Sequence, residues 1–424
     1  MKTLVMLLAV VTMLGFTGCN TDTEEKCPGD TTSVAILLTV PPGVAGAVLL
    51  SGPNGYSMEL NASDTLTGLS SGEYRVSTKR VKLAGSIVGK AYYGQISEPA
   101  FTLTACTPNS VTVAYVQEPG SEKLWVASNS RLHAFAAANL AATGAPAPDI
   151  SLKTPAAPRS IAFDTRGNLW FANAEGVFMY AMEDLGTAAA VYRVKLTGPG
   201  VTGVGTPGAG SLAFDDEGSL WIAQIADRKI VKLTAAQIAA TGQPTPTVTI
   251  SSPDLDGTES LAFDAAGNLF AASGDVLRFS RASLTTSYSG AADAKIVHRT
   301  GPPVIGIITL PNNLAFNKDG TLWITYFNSG SLIPLLADKQ AVSDTLIPVI
   351  NIEASVLALV EGLTIDEAGS LWIPGKAGKI LSVASGSLGV SGNLAAAVTL
   401  SSPAVDYAGA MAFNPAAEAL PLRD

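Results

Sequence analysis

Two short apolar runs separated by a polar turn recur along the second part of the chain. The clearest example is Ile161 to Trp170 (IAFDTRGNLW), in which Ile-Ala-Phe and Leu-Trp flank the turn Asp-x-x-Gly. Further copies occupy residues 212–221, 261–270, 314–323 and 363–372, and a half-copy, 411–414, stands near the end. This arrangement predicts an antiparallel β-hairpin in every full copy.

The Asp or Asn that begins each turn is explained by turn geometry. A side-chain oxygen at this position accepts hydrogen bonds from the turn backbone, and the Gly three residues later adopts a left-handed conformation. The five residues concerned are Asp164, Asp215, Asp264, Asn317 and Asp366. A ring of calcium-binding carboxylates is the alternative interpretation.

The spacing of the copies predicts the architecture. The last apolar residue before each turn stands at 163, 214, 263, 316, 365 and 413, in steps of 51, 49, 53, 49 and 48. A period near 50 residues is typical of one four-stranded blade of a β-propeller. All five tryptophans, Trp125, Trp170, Trp221, Trp323 and Trp372, fall at one repeat position, which predicts packing between blades.

The two ends of the repeat region complement each other. Trp125 has no first strand before it, and Phe413 has only a weak second strand after it. We therefore expect the C-terminal strand to complete the blade begun by Leu124 to Val126, which removes open sheet edges. The fold class is all-β, a six-bladed propeller over residues 119–424, with seven blades as the alternative.

Residues 31–118 show a different pattern, in which short β-forming runs alternate with Gly- and Pro-rich turns. Strands at this spacing predict a β-sandwich. The segment Leu66 to Val76 (LTGLSSGEYRV) resembles the corner of small Ig-like and carboxypeptidase-regulatory-like modules. That resemblance implies a stalk or spacer for the neighbouring domain.

The N-terminus carries an export pattern. Lys2 precedes an apolar run, Leu4 to Leu14, which is too short to span a bilayer but suits a signal peptide over residues 1–18. The run ends in Phe-Thr-Gly-Cys, which resembles the lipobox of bacterial lipoproteins and implies lipidation at Cys19. Residues 19–30 then form a polar tether, and Asn20 implies sorting to the outer membrane, on its periplasmic or its surface side. An ordinary signal peptide is the alternative.

The remaining cysteines, Cys27 and Cys106, form one possible pair. An exported chain meets oxidising conditions, so we expect a disulfide, which loop entropy makes worth on the order of 4 kcal/mol. Two reduced, buried thiols are the alternative. The net charge of −9 argues against binding nucleic acid, which requires a basic surface.

The hairpin motif resembles those of NHL-repeat propellers, streptogramin lyases and the SMP-30/gluconolactonase group. In such propellers, the residue just before the innermost strand lines the channel mouth. Two residues before each copy stand Arg159, Gly210, Glu259, Asn312, Glu361 and Gly409. Segments 311–316 and 360–363 resemble SMP-30 segments that supply metal ligands, which implies a Ca²⁺ or Mg²⁺ site of Glu259, Asn312 and Glu361. A salt-bridged mouth around Arg159, or unrelated exposed polar positions, are the alternatives.

The sequence indicates no catalytic residue. The chain has two histidines, His133 on a predicted third strand and His298 on a predicted outer strand, and neither matches a channel position. We therefore expect a monomeric, membrane-anchored scaffold that binds a protein, peptide or glycan. A metal-dependent hydrolase or lactonase with its site at the channel mouth is the alternative.

Overall fold

The computed structural model describes residues 31–203, 209–298, 310–327, 331–346, 352–353, 361–393 and 395–417. These residues form a nearly all-β structure with two short α-helices, α1 (Ala137–Leu140) and α2 (Pro199–Thr202). Single 3-10 turns cover Pro53–Gly55, Met182–Asp184, Arg281–Leu284, Ala337–Lys339, Lys376–Gly378 and Ser385–Ser387. No helix in the described ranges is long and apolar enough to cross a membrane.

The N-terminal strands form two sheets around one core. The strands are β1 (Thr31–Thr39), β2 (Val48–Ser51), β3 (Ser57–Leu60), β4 (Asp64–Ser70), β5 (Gly72–Thr78), β6 (Val81–Leu83), β7 (Lys90–Ile96), β8 (Ala100–Leu103) and β9 (Asn109–Gln117). One sheet has the order β4-β1-β9-β7-β6 and the other β3-β2-β5-β8. Alternate residues such as Val34, Ile36, Val48 and Leu50 point into a shared apolar core.

The remaining strands form six further sheets. Their bounds are β10 (Lys123–Ser128), β11 (Arg131–Ala136), β12 (Ile150–Lys153), β13 (Ser160–Phe163), β14 (Leu169–Asn173), β15 (Gly176–Tyr180), β16 (Val194–Leu196), β17 (Ala209–Phe214), β18 (Leu220–Gln224), β19 (Lys229–Leu233), β20 (Val248–Ser251), β21 (Ser260–Phe263), β22 (Leu269–Ala272), β23 (Val276–Phe279), β24 (Tyr288–Ser289), β25 (Ala294–His298), β26 (Leu310–Phe316), β27 (Leu322–Phe327), β28 (Ser331–Leu335), β29 (Asp344–Leu346), β30 (Ile352–Glu353), β31 (Thr364–Ile365), β32 (Leu371–Pro374), β33 (Ile380–Val383), β34 (Gly392–Asn393), β35 (Val398–Leu400) and β36 (Met411–Asn414).

Each full copy of the repeat is the inner hairpin of one sheet. In the first copy, Phe163 pairs with Leu169 and Ala162 with Trp170 across the Asp-x-x-Gly turn, as predicted. Antiparallel third and fourth strands follow, giving the orders β13-β14-β15-β16, β17-β18-β19-β20, β21-β22-β23-β25, β26-β27-β28-β30 and β31-β32-β33-β35.

The sixth sheet joins the two ends of the repeat region. Its order is β12-β11-β10-β36, and β36 pairs antiparallel with β10 so that Phe413 lies opposite Leu124 and Ala412 opposite Trp125. The pairing predicted from the half-copy is therefore confirmed. The innermost strands contact one another in chain order, and β36 contacts β13, so the described sheets form a closed ring.

The repeated Asp has two functions in the hairpin. Asp164 Oδ1 accepts the backbone N–H groups of Arg166 and Asn168 at 2.9 Å, which confirms its role as a turn former. Its Oδ2 accepts the indole N–H of Trp170 at 2.9 Å. The same bond joins Asp215 to Trp221 and Asp366 to Trp372. The Asp therefore fixes the Trp that packs on the next sheet.

The tryptophans pack between sheets, as predicted. Trp170 meets Phe214 of the following sheet edge-to-face, with ring centroids 6.0 Å apart. Equivalent contacts are Trp125–Phe163, Trp221–Phe263, Phe270–Phe316 and Trp372–Phe413. Trp323 differs, because Asn317 replaces the Asp and the buried Trp323 Nε1 lacks a hydrogen-bond partner within the described structure.

Side-chain hydroxyls connect the outer edges of neighbouring sheets. Thr241, in the connection between β19 and β20, accepts the backbone N–H of Lys195 on the preceding sheet at 3.0 Å. Ser287, Ser343 and Thr143 accept the equivalent bonds from Thr249, Lys295 and Thr399. The short strands β24, β29 and β34 pair beside these points in parallel with β20, β25 and β30. The connections thereby cover edges that would otherwise be open.

Candidate functional site

The inner strands surround an apolar channel. The three residues that end each inner strand, for example Ile161, Ala162 and Phe163, line a cavity of about 190 Å³. These side chains carry no ionisable group. Any charged group that contacts a ligand in the channel must therefore lie at one of its two ends.

A buried ion pair occupies the end of the channel that lies beside the hairpin turns. Arg80, at the end of the N-terminal sandwich's β5–β6 connection, donates from Nε and Nη2 to the Glu118 carboxylate at 2.6 and 2.8 Å. Arg80 Nη2 also donates to Asn414 Oδ1 at 2.7 Å. The two charged side chains are only 7% and 0% exposed. Removing one member of such a pair would cost about 3–5 kcal/mol.

The β6–β7 connection of the sandwich packs against the same face of the ring. Val88 is buried in a cluster with Leu124, Trp372 and Phe413. The carbonyl oxygen of Ile87 accepts the backbone N–H of Glu367 at 2.9 Å, in the turn of the fifth repeat. Together with Arg80, which lines the cavity, this contact places the sandwich at one end of the channel.

The mouth residues predicted from the repeats are held in equivalent positions. The backbone N–H of Arg159 donates to Ala172 O at 2.8 Å, and that of Glu259 donates to Ala272 O at 2.9 Å. Gly409 makes the same bond to Ala127 O at 2.8 Å. In each case, the backbone of the residue two before the repeat is fixed to the second strand, so the side chains of Arg159 and Glu259 start from the rim.

Three of the predicted residues interact electrostatically. Loss of hydration raises the pKa of Glu259 above its usual value, the positive charge of Arg159 opposes this, and the negative charge of Glu361 adds to it. Arg159, Glu259 and Glu361 are nevertheless solvent-exposed. Among the residues described, Arg159 forms no ion pair within 4.0 Å and its charge acts on Glu259 at longer range, so a salt-bridged mouth stays a prediction.

Tyr407 is a mouth residue that the repeat pattern missed. It lies in the irregular segment before β36, is 43% exposed, and its hydroxyl bonds with Glu361. Burial of the hydroxyl, and then this bond, raise the pKa of Tyr407. The third copy has Gly257 at the equivalent position, four residues before its Leu261, so the repeat pattern gave no signal for Tyr407.

Asn312 does not join the carboxylates as a free ligand. It is 7% exposed, and its Oδ1 accepts the hydroxyl of Thr325 at 2.7 Å. The described residues contain no group of three His, Cys, Asp or Glu side chains that could hold a metal. With the Arg159 charge close to Glu259, the predicted set of Glu259, Asn312 and Glu361 fits a divalent cation poorly.

Two glycines leave part of the mouth without side chains. At Gly210, in the bulge of β17, an added Cβ would lie 2.9 Å from the Ile225 side chain, so a larger residue would require that side chain to shift. Gly409 occupies the equivalent position before β36. In the order of the ring, Arg159 therefore lies between the two glycines, and Glu259 and Glu361 lie on either side of Asn312.

The histidines lie where the sequence predicted. His133 is on the third strand of its sheet, 2% exposed, with Nδ1 2.8 Å from Ser151 Oγ. His298 ends β25, the fourth strand of its sheet.

Cys19 and Cys27 lie outside the described residues, and Cys106 follows β8 with a φ of 65°. The Cys27–Cys106 pairing therefore stays a prediction.

Comparison with solved structures gives distant similarities. A virginiamycin B lyase from Staphylococcus aureus is 14% identical, with 54% of this chain and 67% of that chain covered and a TM-score of 0.37. A streptogramin B lyase is 11% identical, with coverage of 81% and 94% and a TM-score of 0.37. A Bacteroides caccae protein of unknown function is 10% identical, with coverage of 69% and 98% and a TM-score of 0.45. No family model and no curated protein matches the sequence.

Proposed function

We propose that this chain is a cell-envelope lipoprotein whose C-terminal region, a six-bladed β-propeller, binds a protein, peptide or glycan at its open mouth. The N-terminal sandwich, an Ig-like module in this proposal, serves as the stalk over residues 31–118. Seven blades remain the alternative only if residues outside the described ranges supply another sheet.

The observation that carries the binding proposal is the asymmetry of the channel. The sandwich covers one end, where Arg80 and Glu118 form a buried ion pair. The other end presents an exposed cation, exposed carboxylates and a partly exposed aromatic ring on an apolar channel. Such a combination suits a ligand that offers hydrogen-bond donors and an apolar surface, as peptides and glycans do.

Arrays of glycans and peptides test this proposal. We expect the wild-type protein to retain a defined set of ligands, and Arg159→Gln and Glu361→Gln to lose that set. Glu73→Gln, on the exposed surface of the sandwich, serves as the matched control and should bind as the wild type does. Equal binding by all four proteins would rule out the mouth as the binding site.

The anchor proposal rests on residues 1–19. Cys19→Ala should release the protein from membranes if the cysteine carries the lipid. Protease treatment of intact cells would then separate the surface side from the periplasmic side of the outer membrane. If the Cys19→Ala variant is still found in the membrane fraction, the lipid anchor is contradicted.

The proposed disulfide between Cys27 and Cys106 has a direct test. Non-reducing peptide mapping by mass spectrometry should recover a fragment that links the two cysteines. Alkylation of both thiols without prior reduction would show that they are free.

A metal-dependent hydrolase or lactonase at the same mouth is the second candidate. The favouring observation is Glu259, because a carboxyl group with a raised pKa beside a second carboxylate suits general acid–base catalysis. Elemental analysis of the purified protein is the test. Stoichiometric Ca²⁺ or Mg²⁺ that is lost in Glu361→Ala would support this candidate over the scaffold, and the absence of both ions would count against it.

A further inference from the structure

A second polar cavity lies where the ring closes, away from the channel. It is bounded by the β10–β11 turn, the end of β12 and the irregular segment that leads into β36. Its lining includes Ser128, Arg131, His133, Lys153 and Asp406. The mouth residue Tyr407 follows Asp406, so one segment separates the two sites.

The strand register places the cavity's functional groups on one face of the sheet. Arg131 lies opposite Lys153 and also opposite Ser128, on the two strands that flank β11. His133 lies two residues further along β11, on the same face as Arg131. Two cations, a hydroxyl and an imidazole are thus brought together by strand pairing alone.

The two cations have no acidic partner within salt-bridge distance in the part of the chain that the structure describes. Like charges directly opposite each other on neighbouring strands are destabilising. Asp406, the acidic residue of the lining, is engaged by Asn129, whose Nδ2 donates to Asp406 Oδ2 at 3.4 Å. The lining therefore holds two cations against one carboxylate and keeps a net positive charge.

Two buried polar atoms at this cavity also lack hydrogen-bond partners among the described residues. They are Ser128 Oγ and His133 Nε2, on side chains that are each 2% exposed. Leaving such a group unpaired costs about 1–3 kcal/mol, so native structures normally satisfy it with water or a ligand. Both atoms stand beside the unpaired cations.

The equivalent position in another sheet of the ring shows what is particular to this one. On β19, Lys229 corresponds to Arg131, but it lies opposite Ser251 instead of a second cation. Val231 takes the place of His133 and lies opposite Thr249. The paired cations and the imidazole are therefore not a requirement of the blade's fold.

We propose that this cavity is a binding site for a tetrahedral oxyanion, sulfate or phosphate, either free or as the monoester group of a larger ligand. Arg131 and Lys153 would neutralise its charge, and Ser128 and His133 would hydrogen-bond to it directly or through one water. Donors that converge from three strands suit four oxygens better than a planar carboxylate. The site is distinct from the channel mouth and does not depend on the function proposed there.

Proton binding by His133 supplies a sensitive readout. Burial lowers the pKa of His133 below its usual value, the Arg131 charge lowers it further, and Asp406 opposes both. A bound dianion would favour the imidazolium form, so it should raise this pKa and bind more tightly as the pH falls. Sulfate keeps its double charge between about pH 5 and 8, the range in which the imidazole titrates.

The test is a titration of the purified protein with sodium sulfate, followed through the imidazole NMR resonances. The chain has only two histidines, so a His298→Gln sample assigns the His133 signal. We expect a saturable shift of the His133 resonance and an upward shift of its titration midpoint. Sodium chloride at the same ionic strength should produce neither effect.

Variants then distinguish a built site from an adventitious ion. Arg131→Gln and Lys153→Gln should each weaken sulfate binding by roughly tenfold or more, the loss expected for one charge-assisted hydrogen bond. Lys229→Gln is the matched control and should leave binding unchanged. No saturable shift, the same shift with chloride, or equal binding by all variants would overturn the proposal.

The source of the oxyanion is resolved by comparing probes on the wild-type protein. Inorganic phosphate and glucose 6-phosphate each present the oxyanion, whereas glucose does not. Tighter binding of the sugar phosphate indicates the ester group of a larger ligand, and tighter binding of inorganic phosphate indicates the free ion. Binding of glucose equal to that of glucose 6-phosphate would contradict an oxyanion site.

Discussion

Removal of one aromatic side chain tests whether the last strand closes the ring. Phe413 is 4% exposed and packs edge-to-face on Trp372, with ring centroids 6.0 Å apart. Its backbone pairs with Leu124 near the start of the ring. Truncating a buried Phe to Ala costs about 3–5 kcal/mol, through lost burial and the cavity that remains. Phe413→Ala should therefore lower the free energy of unfolding by this amount.

Phe214 provides a matched control in the middle of the chain. It is 1% exposed and packs on Trp170, also with centroids 6.0 Å apart. Its strand is continuous with the rest of its sheet, so its packing does not require that the chain ends meet. If the ring is closed, Phe413→Ala and Phe214→Ala should both cost about 3–5 kcal/mol.

The assay is guanidinium unfolding followed by tryptophan fluorescence, with free energies taken from the transition midpoint and slope. A loss below about 1 kcal/mol for Phe413→Ala, together with the full loss for Phe214→Ala, would refute closure. It would show that β36 is detached in solution and that the ring opens between its first and last sheets.

Three further substitutions test the turn and the mouth. Asp164→Asn should cost about 1–3 kcal/mol in chemical unfolding, because the indole N–H of Trp170 loses its acceptor. The reverse change, Asn317→Asp, should stabilise the protein by about 1 kcal/mol, because Trp323 Nε1 gains an acceptor; no gain would contradict the role given to the Asp. Since the pKa of Glu259 is raised in the folded state, its contribution to stability is lost as the pH rises through that pKa. Glu259→Gln should therefore raise the melting temperature at neutral pH but not below about pH 4, and an equal shift at both would be the opposing result.

The repeat could be interpreted from sequence because each copy is a local structure. Asp, Gly and the flanking apolar runs lie within ten residues, so hairpin geometry alone relates them. The pairing of Phe413 with Leu124 was also predictable, although these residues are far apart in sequence. The segment around Leu124 lacks a first strand and the segment around Phe413 lacks a second strand. Pairing the two segments completes one hairpin.

The parts that sequence reasoning missed depend on contacts between unrelated segments. Arg80 meets Asn414 across 334 positions of sequence, and neither residue belongs to a pattern shared with the other. Tyr407 bonds with Glu361 from an irregular segment whose counterpart before β21 has Gly257 at the same position. The hydrogen bond from the Thr325 hydroxyl to Asn312, on the adjacent strand, also joins residues that no sequence pattern connects, and the role of Asn312 as a ligand stays a prediction.

The channel mouth as the ligand-binding site is the central claim, and one titration tests it most directly. A ligand selected on the arrays is titrated by calorimetry into the wild-type protein, Glu361→Gln and the control Glu73→Gln. The claim predicts that Glu361→Gln loses at least about tenfold in affinity, near the 1.4 kcal/mol expected for a hydrogen bond to a charged group, while Glu73→Gln binds as the wild type does. Equal affinity of all three proteins for that ligand would contradict it.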